Sequence, residues 1–411
     1  MSNRLALGIL FATVFLDSIG FGVILPVMPQ LIMDITGEPL SSAAVYGGWL
    51  LVLHAAMQFL TAPVMGNLSD RVGRKPVLVM ALFAFGLNYL LMGWAPTLTW
   101  LFVGRLLAGA VSSTYAVANA FIADLFPAQE RVKLFALMGA AFGGGFVLGP
   151  ALGGFLGEMG PRVPFYATGG LALANASLGF FMLPETLSPE NRRSFDWRRA
   201  NPLGALAHLR RYPLVKGLML VFFLFYVANL ALPSTWSYFT IAQFGWSERE
   251  IGFSLSYVGV LMIIFQGLVI RSVLDQFGST TTIYIGLGGL TICFVGCALA
   301  YQSWMVYAFL LIGATQGFVG PAMQGLMSAK IAADAQGELQ GMVASVSSLA
   351  AVISPLLMTH VFGFFTGRAT PVYFPGMVYL VAAALAGLCI VLTGFVLGRE
   401  LRARKRASGT G

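Results

Sequence analysis

Residues 66–77 read GNLSDRVGRKPV and separate two long apolar runs of the chain. Gly66 and Gly73 permit a tight turn between two helices, because glycine adopts backbone conformations that other residues avoid. The carboxylate of Asp70 suits helix N-termini and arginines, and Arg74 places positive charge in the same stretch. The stretch therefore predicts a short basic loop between two membrane-spanning helices.

Composition extends this interpretation to the whole chain. Of the 411 residues, 58% are hydrophobic and 10% are charged, whereas average domains are about 25% charged. A membrane helix needs about 20 mostly apolar residues. Such runs occur twelve times, at roughly 5–26, 45–65, 77–95, 98–122, 132–156, 163–183, 213–240, 250–270, 281–301, 303–327, 339–362 and 375–398. The sequence predicts an all-α membrane protein with 12 transmembrane helices, called spans 1 to 12 below.

One polar segment, residues 185–212, divides the spans six and six. We expect an N-terminal six-helix bundle over residues 1–184, a cytoplasmic linker over 185–212, and a C-terminal six-helix bundle with a basic tail over 213–411. Within the linker, Leu203, Leu206 and Leu209 recur at helical spacing. They predict a short helix on the inner membrane surface, and its simplest role is that of a connector.

The two halves repeat each other at an offset of 205 residues. Asp70 and Gly73 match Asp275 and Gly278, and Pro150 of span 5 matches Pro355 of span 11. A duplicated bundle around a central cavity is the design that transporters use for alternating access. The repeat therefore predicts two pseudo-symmetric bundles.

Positive charge predicts the orientation, because cytoplasmic loops are enriched in lysine and arginine. With the N-terminus inside, 20 of the 24 basic residues fall on the inner side and three (Arg162, Arg249, Arg368) on the outer side. Both termini are then cytoplasmic. The net charge of +8 is explained by topology and by attraction to anionic lipid, so no nucleic-acid partner is expected.

Asp17 in span 1 and Arg105 in span 4 are the charged side chains that lie well inside the spans. A charge at the bilayer centre costs about 2.5–3.5 kcal/mol on insertion scales, so such groups face the protein interior and are paired or functional. Two roles remain open for these residues: they couple protons to transport, or they form a fixed ion pair that joins the two spans.

Other polar or aromatic side chains within the spans are candidates for lining a cavity, although each could instead bond to a neighbouring helix. They are His54, Gln58, Asn88, Tyr226, Asn229, Trp236, Gln266, Gln316 and Gln324. His54 could titrate near neutral pH or serve in packing. No metal-ligand spacing, phosphate-binding glycine loop or nucleophile constellation occurs, so neither an enzyme nor an ATP-driven pump is expected.

The 66–77 loop resembles the signature loop of the major facilitator superfamily. In that family the aspartate closes the cytoplasmic side against the start of helix 11, and its partners include an acid at the end of helix 4. The resemblance implies that Asp70, Arg74 and Asp124 form a gate with the segment near Gly337.

Three other stretches resemble the drug:proton antiporters of that superfamily: LDSIGFGVILPVMP at 16–29, GRLLAG at 104–109 and GFVLGPALGG at 145–154. The last resembles the antiporter motif and implies a conformational role, which is compatible with simple glycine packing. Its residues are Gly145, Gly149, Pro150, Gly153 and Gly154. The first two stretches imply that Asp17 and Arg105 couple protons to substrate.

Over its whole length the chain is most similar to the tetracycline:proton antiporter subgroup. That subgroup carries acids in spans 3 and 9 and a histidine in span 8, where this chain has Asn88, Leu290 and Met262. The departures leave fewer titratable groups in the spans and leave the substrate open.

The resemblance implies a monomeric proton-coupled antiporter of the bacterial inner membrane. It would export a small amphipathic compound, a tetracycline-like antibiotic or another drug, free or as a metal chelate, without a cofactor. The alternatives are a proton-coupled importer of a nutrient on the same fold and a receptor or scaffold that no longer transports.

Overall fold

The computed structural model describes residues 3–112, 114–193, 213–332, 335–368 and 370–407, and every regular element within them is helical. The predicted surface helix near Leu206 lies outside the described residues. The helices of the first half are α1 (Asn3–Thr36), α2 (Leu40–Val72), α3 (Arg74–Trp94), α4 (Leu98–Val111), α5 (Thr114–Leu125), α6 (Ala128–Gly157) and α7 (Val163–Met182).

A 3₁₀ turn, Pro189–Asn191, follows α7. The helices of the second half are α8 (Pro213–Asn229), α9 (Ala231–Phe244), α10 (Glu248–Ile264), α11 (Ile270–Leu299), α12 (Ser303–Gly313), α13 (Val319–Ser328), α14 (Gln336–Thr366) and α15 (Met377–Ala407). A π-helical stretch, Phe265–Val269, joins α10 to α11, and a 3₁₀ stretch, Ala314–Phe318, joins α12 to α13.

Ten helical runs of the described residues are long and apolar enough to cross a membrane. One of them, Glu248–Leu299, has 52 residues and is interrupted by the non-helical backbone of Gly278. Val163–Met182 is helical but is not one of the ten. The chain is a multi-pass membrane protein, and the count of twelve spans stays a prediction.

The contacts of the chain group it into two compact units. The first comprises Met1–Asn201 with Gly245–Gly259, and the second comprises Pro202–Phe244 with Val260–Gly411. The first part of α10 thus packs with the N-terminal helices that precede it by about a hundred residues in the chain. The predicted boundaries of the bundles and the linker stay predictions.

The internal repeat is visible in the backbone. Gly73 (φ 117°) ends α2, and Gly278 (φ 72°) interrupts α11. Both have a positive φ, which side chains with a Cβ rarely adopt. The pair that matches at the 205-residue offset therefore breaks a helix in the same way in both halves.

One face of α6 packs against α1 through glycines spaced four residues apart. A Cβ at Gly145 would collide with the carbonyl oxygen of Phe15, and one at Gly153 with that of Val23. At Gly149 the added atom would lie 2.6 Å from the carbonyl oxygen of Ile19. Small residues let membrane helices approach closely, so this face of the 145–154 motif is a packing surface.

A second, adjoining face of α6 packs against the first part of α10, within the same unit. A Cβ at Gly252 would collide with the carbonyl oxygen of Pro150, and one at Gly154 with that of Glu248. Ser256 donates a hydrogen bond to the carbonyl oxygen of Val147 (2.6 Å). Proline and glycine within α6 therefore serve two helix–helix contacts at once.

The second unit repeats the first of these contacts with a different chemistry. Ser354, which replaces Gly149 at the 205-residue offset, donates its hydroxyl to the carbonyl oxygen of Val227 on α8 (2.7 Å). Val227 is itself the counterpart of Gly22, whose Cα lies 2.9 Å from the position of a Cβ on Gly149. A hydrogen bond in one half thus takes the place of glycine contact in the other.

Replacing Gly149 with alanine should destabilise the protein, because α1 and α6 cannot separate without losing contacts along their whole length. Overpacking of this kind costs about 1–3 kcal/mol. The melting temperature of the purified Gly149→Ala protein in detergent should fall. Gly143→Ala is the matched control, since no atom lies within 4 Å of its added Cβ. Equal melting temperatures for the two variants would contradict the packing role.

Candidate functional site

A cavity of about 260 Å³ lies within the first unit. Its wall is formed by α1, α2, α3, α4 and α6, with Ser112 at the end of α4. The lining side chains are Asp17, Phe21, Ile24, His54, Gln58, Phe85, Asn88, Tyr89, Met92, Arg105, Ala108, Ser112 and Phe142. Five of the predicted residues (Asp17, His54, Gln58, Asn88 and Arg105) therefore share one cavity.

Close packing of α4 brings Arg105 to this cavity. A Cβ on Gly104 would lie 2.5 Å from Cγ of Met92, and one on Gly109 would collide with the carbonyl oxygen of His54. These glycines let α4 approach α2 and α3, so that Arg105 is only 4% exposed. Asp17 reaches the same cavity from α1.

The polar wall holds atoms that can accept a hydrogen bond. Oδ1 of Asn88 and Nδ1 of His54 are buried and have no partner among the described residues. Leaving such an atom unpaired costs about 1–3 kcal/mol. Asn88 is 3% exposed, so a molecule in the cavity that carries a hydroxyl, amide or ammonium donor would find acceptors there.

The wall also contains a helix break. Ser112 ends α4 with non-helical backbone angles (φ −76°, ψ 53°). The side-chain amide of Gln58 donates to the Ser112 hydroxyl (3.0 Å) and carbonyl oxygen (3.3 Å). In a membrane each backbone polar group needs an internal partner, and Gln58 provides one from α2.

The predicted gate residues of the first unit are in contact. Arg74 Nη1 pairs with Asp70 Oδ1 (2.5 Å), and Arg74 Nε pairs with Asp124 Oδ2 (3.1 Å). Arg74 also donates to the hydroxyl of Ser69 (3.1 Å). One guanidinium therefore joins α2 to α5, next to the turn that Gly73 makes.

The other predicted gate glycine, Gly66, lies within α2 and has open space where a Cβ would stand. The predicted partnership with the segment near Gly337 stays a prediction.

In the second unit, three predicted residues lie in or beside the α8–α9 pair. Tyr226 packs its ring against Phe222 (4.7 Å between centroids). Asn229 is the last residue of α8. Trp236 is 1% exposed and lies in an aromatic core cluster with Tyr379 (6.2 Å). The structure therefore places Trp236 in the packed interior of this unit.

The predicted glutamines of the second unit mark irregular helices. Gln266 lies in the π-helical stretch and Gln316 in the 3₁₀ stretch, while Gln324 lies in α13. The two irregular stretches touch, because a Cβ on Gly317 would lie 2.7 Å from Cγ of Gln266. Each unit thus has a glutamine against a broken helix, and such irregularities often mark functional segments.

Met262 and Leu290 are the other two positions that differ from the tetracycline:proton antiporter subgroup, and neither carries a charge. Sδ of Met262 lies 3.8 Å from the side-chain amide of Gln266. Leu290 is 1% exposed and belongs to the core. Neither replacement creates a new charged group in the spans.

Sequence reasoning missed the apolar and small residues of the cavity wall. Helical spacing could have found them, because residues three, four and seven apart share a helix face. Phe21 and Ile24 follow Asp17 at this spacing, and Ala108 and Ser112 follow Arg105. Among the described residues, no group of three or more histidine, cysteine, aspartate or glutamate side chains could hold a metal ion.

Comparison with known proteins decides the family. The Major Facilitator Superfamily profile matches residues 10–355. The chain belongs to the Major Facilitator Superfamily. It is similar to the tetracycline resistance protein, class C, of Escherichia coli, with 36% identity over 95% of this chain and 96% of that protein. It is also similar to the class E tetracycline resistance protein of Escherichia coli, with 35% identity over 93% of each.

A solved structure supports the same fold. The crystal structure of the nucleoside transporter NupG matches with a TM-score of 0.78 and 14% identity, over 97% of this chain and 99% of that one. The predicted helical fold and membership of the superfamily are confirmed. As a member of this superfamily, the chain is a transporter and not an enzyme.

Filling the cavity should weaken substrate binding without unfolding the protein. Ala108 lines the cavity, and Ala108→Phe would place a ring inside it. The dissociation constant for a transported drug should rise at least about tenfold, which corresponds to about 1.4 kcal/mol. Leu107→Phe is the matched control, because Leu107 does not line the cavity and is 48% exposed. Unchanged binding in Ala108→Phe would show that substrate binds elsewhere.

Proposed function

We propose that this facilitator is a proton-coupled antiporter that exports a small amphipathic drug, a tetracycline-like antibiotic or a related compound, across the bacterial inner membrane. The observation that carries the proposal is the single cavity that contains Asp17 and Arg105 together with aromatic rings. Buried pockets with apolar walls and a few polar groups suit amphipathic ligands. The gradient of protons supplies the energy, and no cofactor is needed.

The relatives support export over import. Proteins named for resistance to tetracycline protect a cell, and a transporter protects by moving the drug outwards. A proton symporter that imports a nutrient would move its substrate inwards. The 145–154 stretch of α6 resembles the antiporter motif, which favours exchange. In exchange, substrate and proton move in opposite directions through alternating conformations.

Asp17 is proposed to carry the proton. A protonated carboxyl is neutral and costs far less to bury in an apolar environment than the ionised form, which attracts a cationic or donor group. Proton and drug therefore compete for the same side chain, and this competition is the coupling. Each proton that enters the cell releases about 2.3 kcal/mol of free energy for every 100 mV of membrane potential.

Arg105 is proposed to hold the carboxylate in its ionised form until a proton or a substrate arrives. A guanidinium stays charged at every physiological pH, so it stabilises an anion nearby without itself releasing a proton. Asn88 and His54 are proposed to accept hydrogen bonds from substrate. Tyr226, Asn229, Gln266, Gln316 and Gln324 stay predicted cavity-lining candidates of the second half.

The network of Asp70, Arg74 and Asp124 is proposed as the cytoplasmic gate. This assignment follows from both termini being cytoplasmic, which is the orientation that the basic loops favour. The glycines and the proline of the 145–154 motif are proposed to move with the conformational change. We further propose that the protein acts as a monomer in the lipid bilayer and takes its drug free or as a metal chelate.

Asp17→Asn should abolish proton-driven export while the protein folds normally. The variant keeps the shape of the side chain and loses its ability to exchange a proton. The measurement is growth of a pump-deficient bacterial strain on a panel of antibiotics and dyes that includes tetracycline, with drug-induced proton release from membrane vesicles as the second readout. Asp34→Asn is the control, because Asp34 is an exposed acid on the same helix.

Normal export by Asp17→Asn would contradict the coupling role. A loss of folded protein that Arg105→Gln restores in the double variant would instead indicate a fixed ion pair. Wild-type vesicles that accumulate the drug on the cytoplasmic side would indicate import. A wild type that moves no compound and releases no proton would indicate a receptor or scaffold.

Asp70→Asn should slow transport about three- to tenfold and leave the substrate dissociation constant unchanged, because the weakened ion pair lies outside the cavity. Initial rates and equilibrium binding in vesicles measure the two quantities. Asp275→Asn is the matched control from the repeat. Its pair with Arg271 is 3.8 Å long, with side chains 75% and 90% exposed. A full turnover rate in Asp70→Asn would contradict the gating role.

A further inference from the structure

Glu185 stands three residues beyond the end of α7 and binds three backbone amides with one oxygen. Its Oε1 accepts hydrogen bonds from the N–H groups of Arg74 (3.0 Å), Thr186 (2.9 Å) and Leu187 (2.9 Å). Arg74 is the first residue of α3. The carboxylate therefore caps the positive end of that helix, where negative charge is favoured.

Gly73 provides the space that this carboxylate occupies. A Cβ on Gly73 would collide with Oε2 of Glu185. Gly73 also has a φ of 117°, so its lack of a side chain serves the turn and the carboxylate at the same time. The glycine of the 66–77 loop and the glutamate after α7 are thus complementary in shape.

The residues around Glu185 touch the rest of the gate network. Thr186 donates its hydroxyl to Asp124 Oδ2 (3.4 Å). The backbone N–H of Arg193 donates to the carbonyl oxygen of Asp70 (3.1 Å). Leu187 is 8% exposed and holds the segment against the unit. Residues 185–193, called the strap below, therefore contact Asp70, Arg74 and Asp124.

We propose that Glu185 is a positioning residue of the transport cycle, which holds Arg74 between Asp70 and Asp124 and thereby ties the strap to the gate. This inference rests on the proposed gating role of the network. It assigns a function to a side chain that the charge pattern of the sequence placed merely in a linker.

The physical reason is that Arg74 has to reach carboxylates on two different helices. Asp70 belongs to α2 and Asp124 to α5, so the guanidinium position depends on where α3 begins. Glu185 fixes that beginning through the Arg74 amide. Without Glu185, the Arg74 amide bonds to water and the first turn of α3 frays. The Arg74 guanidinium is then no longer held between the two carboxylates.

Three variants separate positioning from charge. Glu185→Ala removes the acceptor, and Glu185→Gln keeps an oxygen acceptor without the negative charge. Glu190→Ala is the matched control, because it removes a carboxylate from the 3₁₀ turn five residues further along the strap. The readouts are amide hydrogen exchange of peptides that contain residues 73–76, the maximal rate and KM of drug export, and the equilibrium dissociation constant.

We expect Glu185→Ala to raise amide exchange at the start of α3 at least about tenfold and to lower the maximal export rate by a similar factor, with an unchanged dissociation constant. Glu185→Gln should lie between Glu185→Ala and the wild type. Glu190→Ala should match the wild type in all three readouts.

Two outcomes would overturn the proposal. Full export by Glu185→Ala despite faster exchange would show that Arg74 needs no positioning. Faster exchange throughout α1 to α7, together with weaker drug binding, would show a general structural role. If the wild type exports no drug at all, the proposed function fails, while the exchange measurement still reports whether Glu185 caps α3.

A double-mutant cycle tests whether Gly73 and Glu185 act as one unit. Gly73→Ala expels the carboxylate, so adding Glu185→Ala should lower the export rate by much less than it does in the wild-type background. Independent, additive losses would mean that the carboxylate does not occupy the space at Gly73 in the working protein and would contradict the proposal.

Discussion

A charged side chain inside an apolar span has to face the interior of the protein, and the first unit is arranged around this constraint. Arg105 can be 4% exposed only if neighbouring helices approach closely and leave a polar space at its tip. The glycines of α4 permit the approach, and the cavity that contains Asp17, His54 and Asn88 provides the space. Packing and chemistry are therefore consequences of one requirement.

The two faces of α6 show how the same requirement reaches the rest of the unit. Its glycines bring α1 close enough to place Asp17 at the cavity, and its other face receives the first part of α10. A helix with side chains at these positions would keep both neighbours at a normal distance of 8–10 Å between axes. The motif that resembles an antiporter signature is thus also a structural element, and both interpretations describe one surface.

Much of this could be predicted from the sequence. Hydropathy located the helical runs, and the rarity of charge in the spans singled out Asp17 and Arg105. Helical spacing on α2 placed His54 and Gln58 on one face. The repeat matched Gly278 with Gly73, and both have a positive φ in the structure, which residues with a Cβ rarely adopt.

Other features are invisible to hydropathy and periodicity. Glu185 binds an amide 111 positions earlier in the chain, and no local pattern indicates which backbone group a carboxylate will cap. The π-helical and 3₁₀ stretches depend on how neighbouring helices compete for hydrogen bonds, so their residues look like ordinary helix. Trp236 was predicted from its chemistry alone, and an aromatic ring suits a packed core as well as a cavity.

The repeat also explains where the chemistry is concentrated. At the 205-residue offset, Asp17 corresponds to Phe222, Arg105 to Leu310 and Arg74 to Ser279. Phe222 and Leu310 are both buried core residues, so the second unit keeps the helix positions and fills them with apolar side chains. A second buried acid would need its own compensating partner at a cost of several kcal/mol. Confining the charged side chains within the spans to one half avoids that cost.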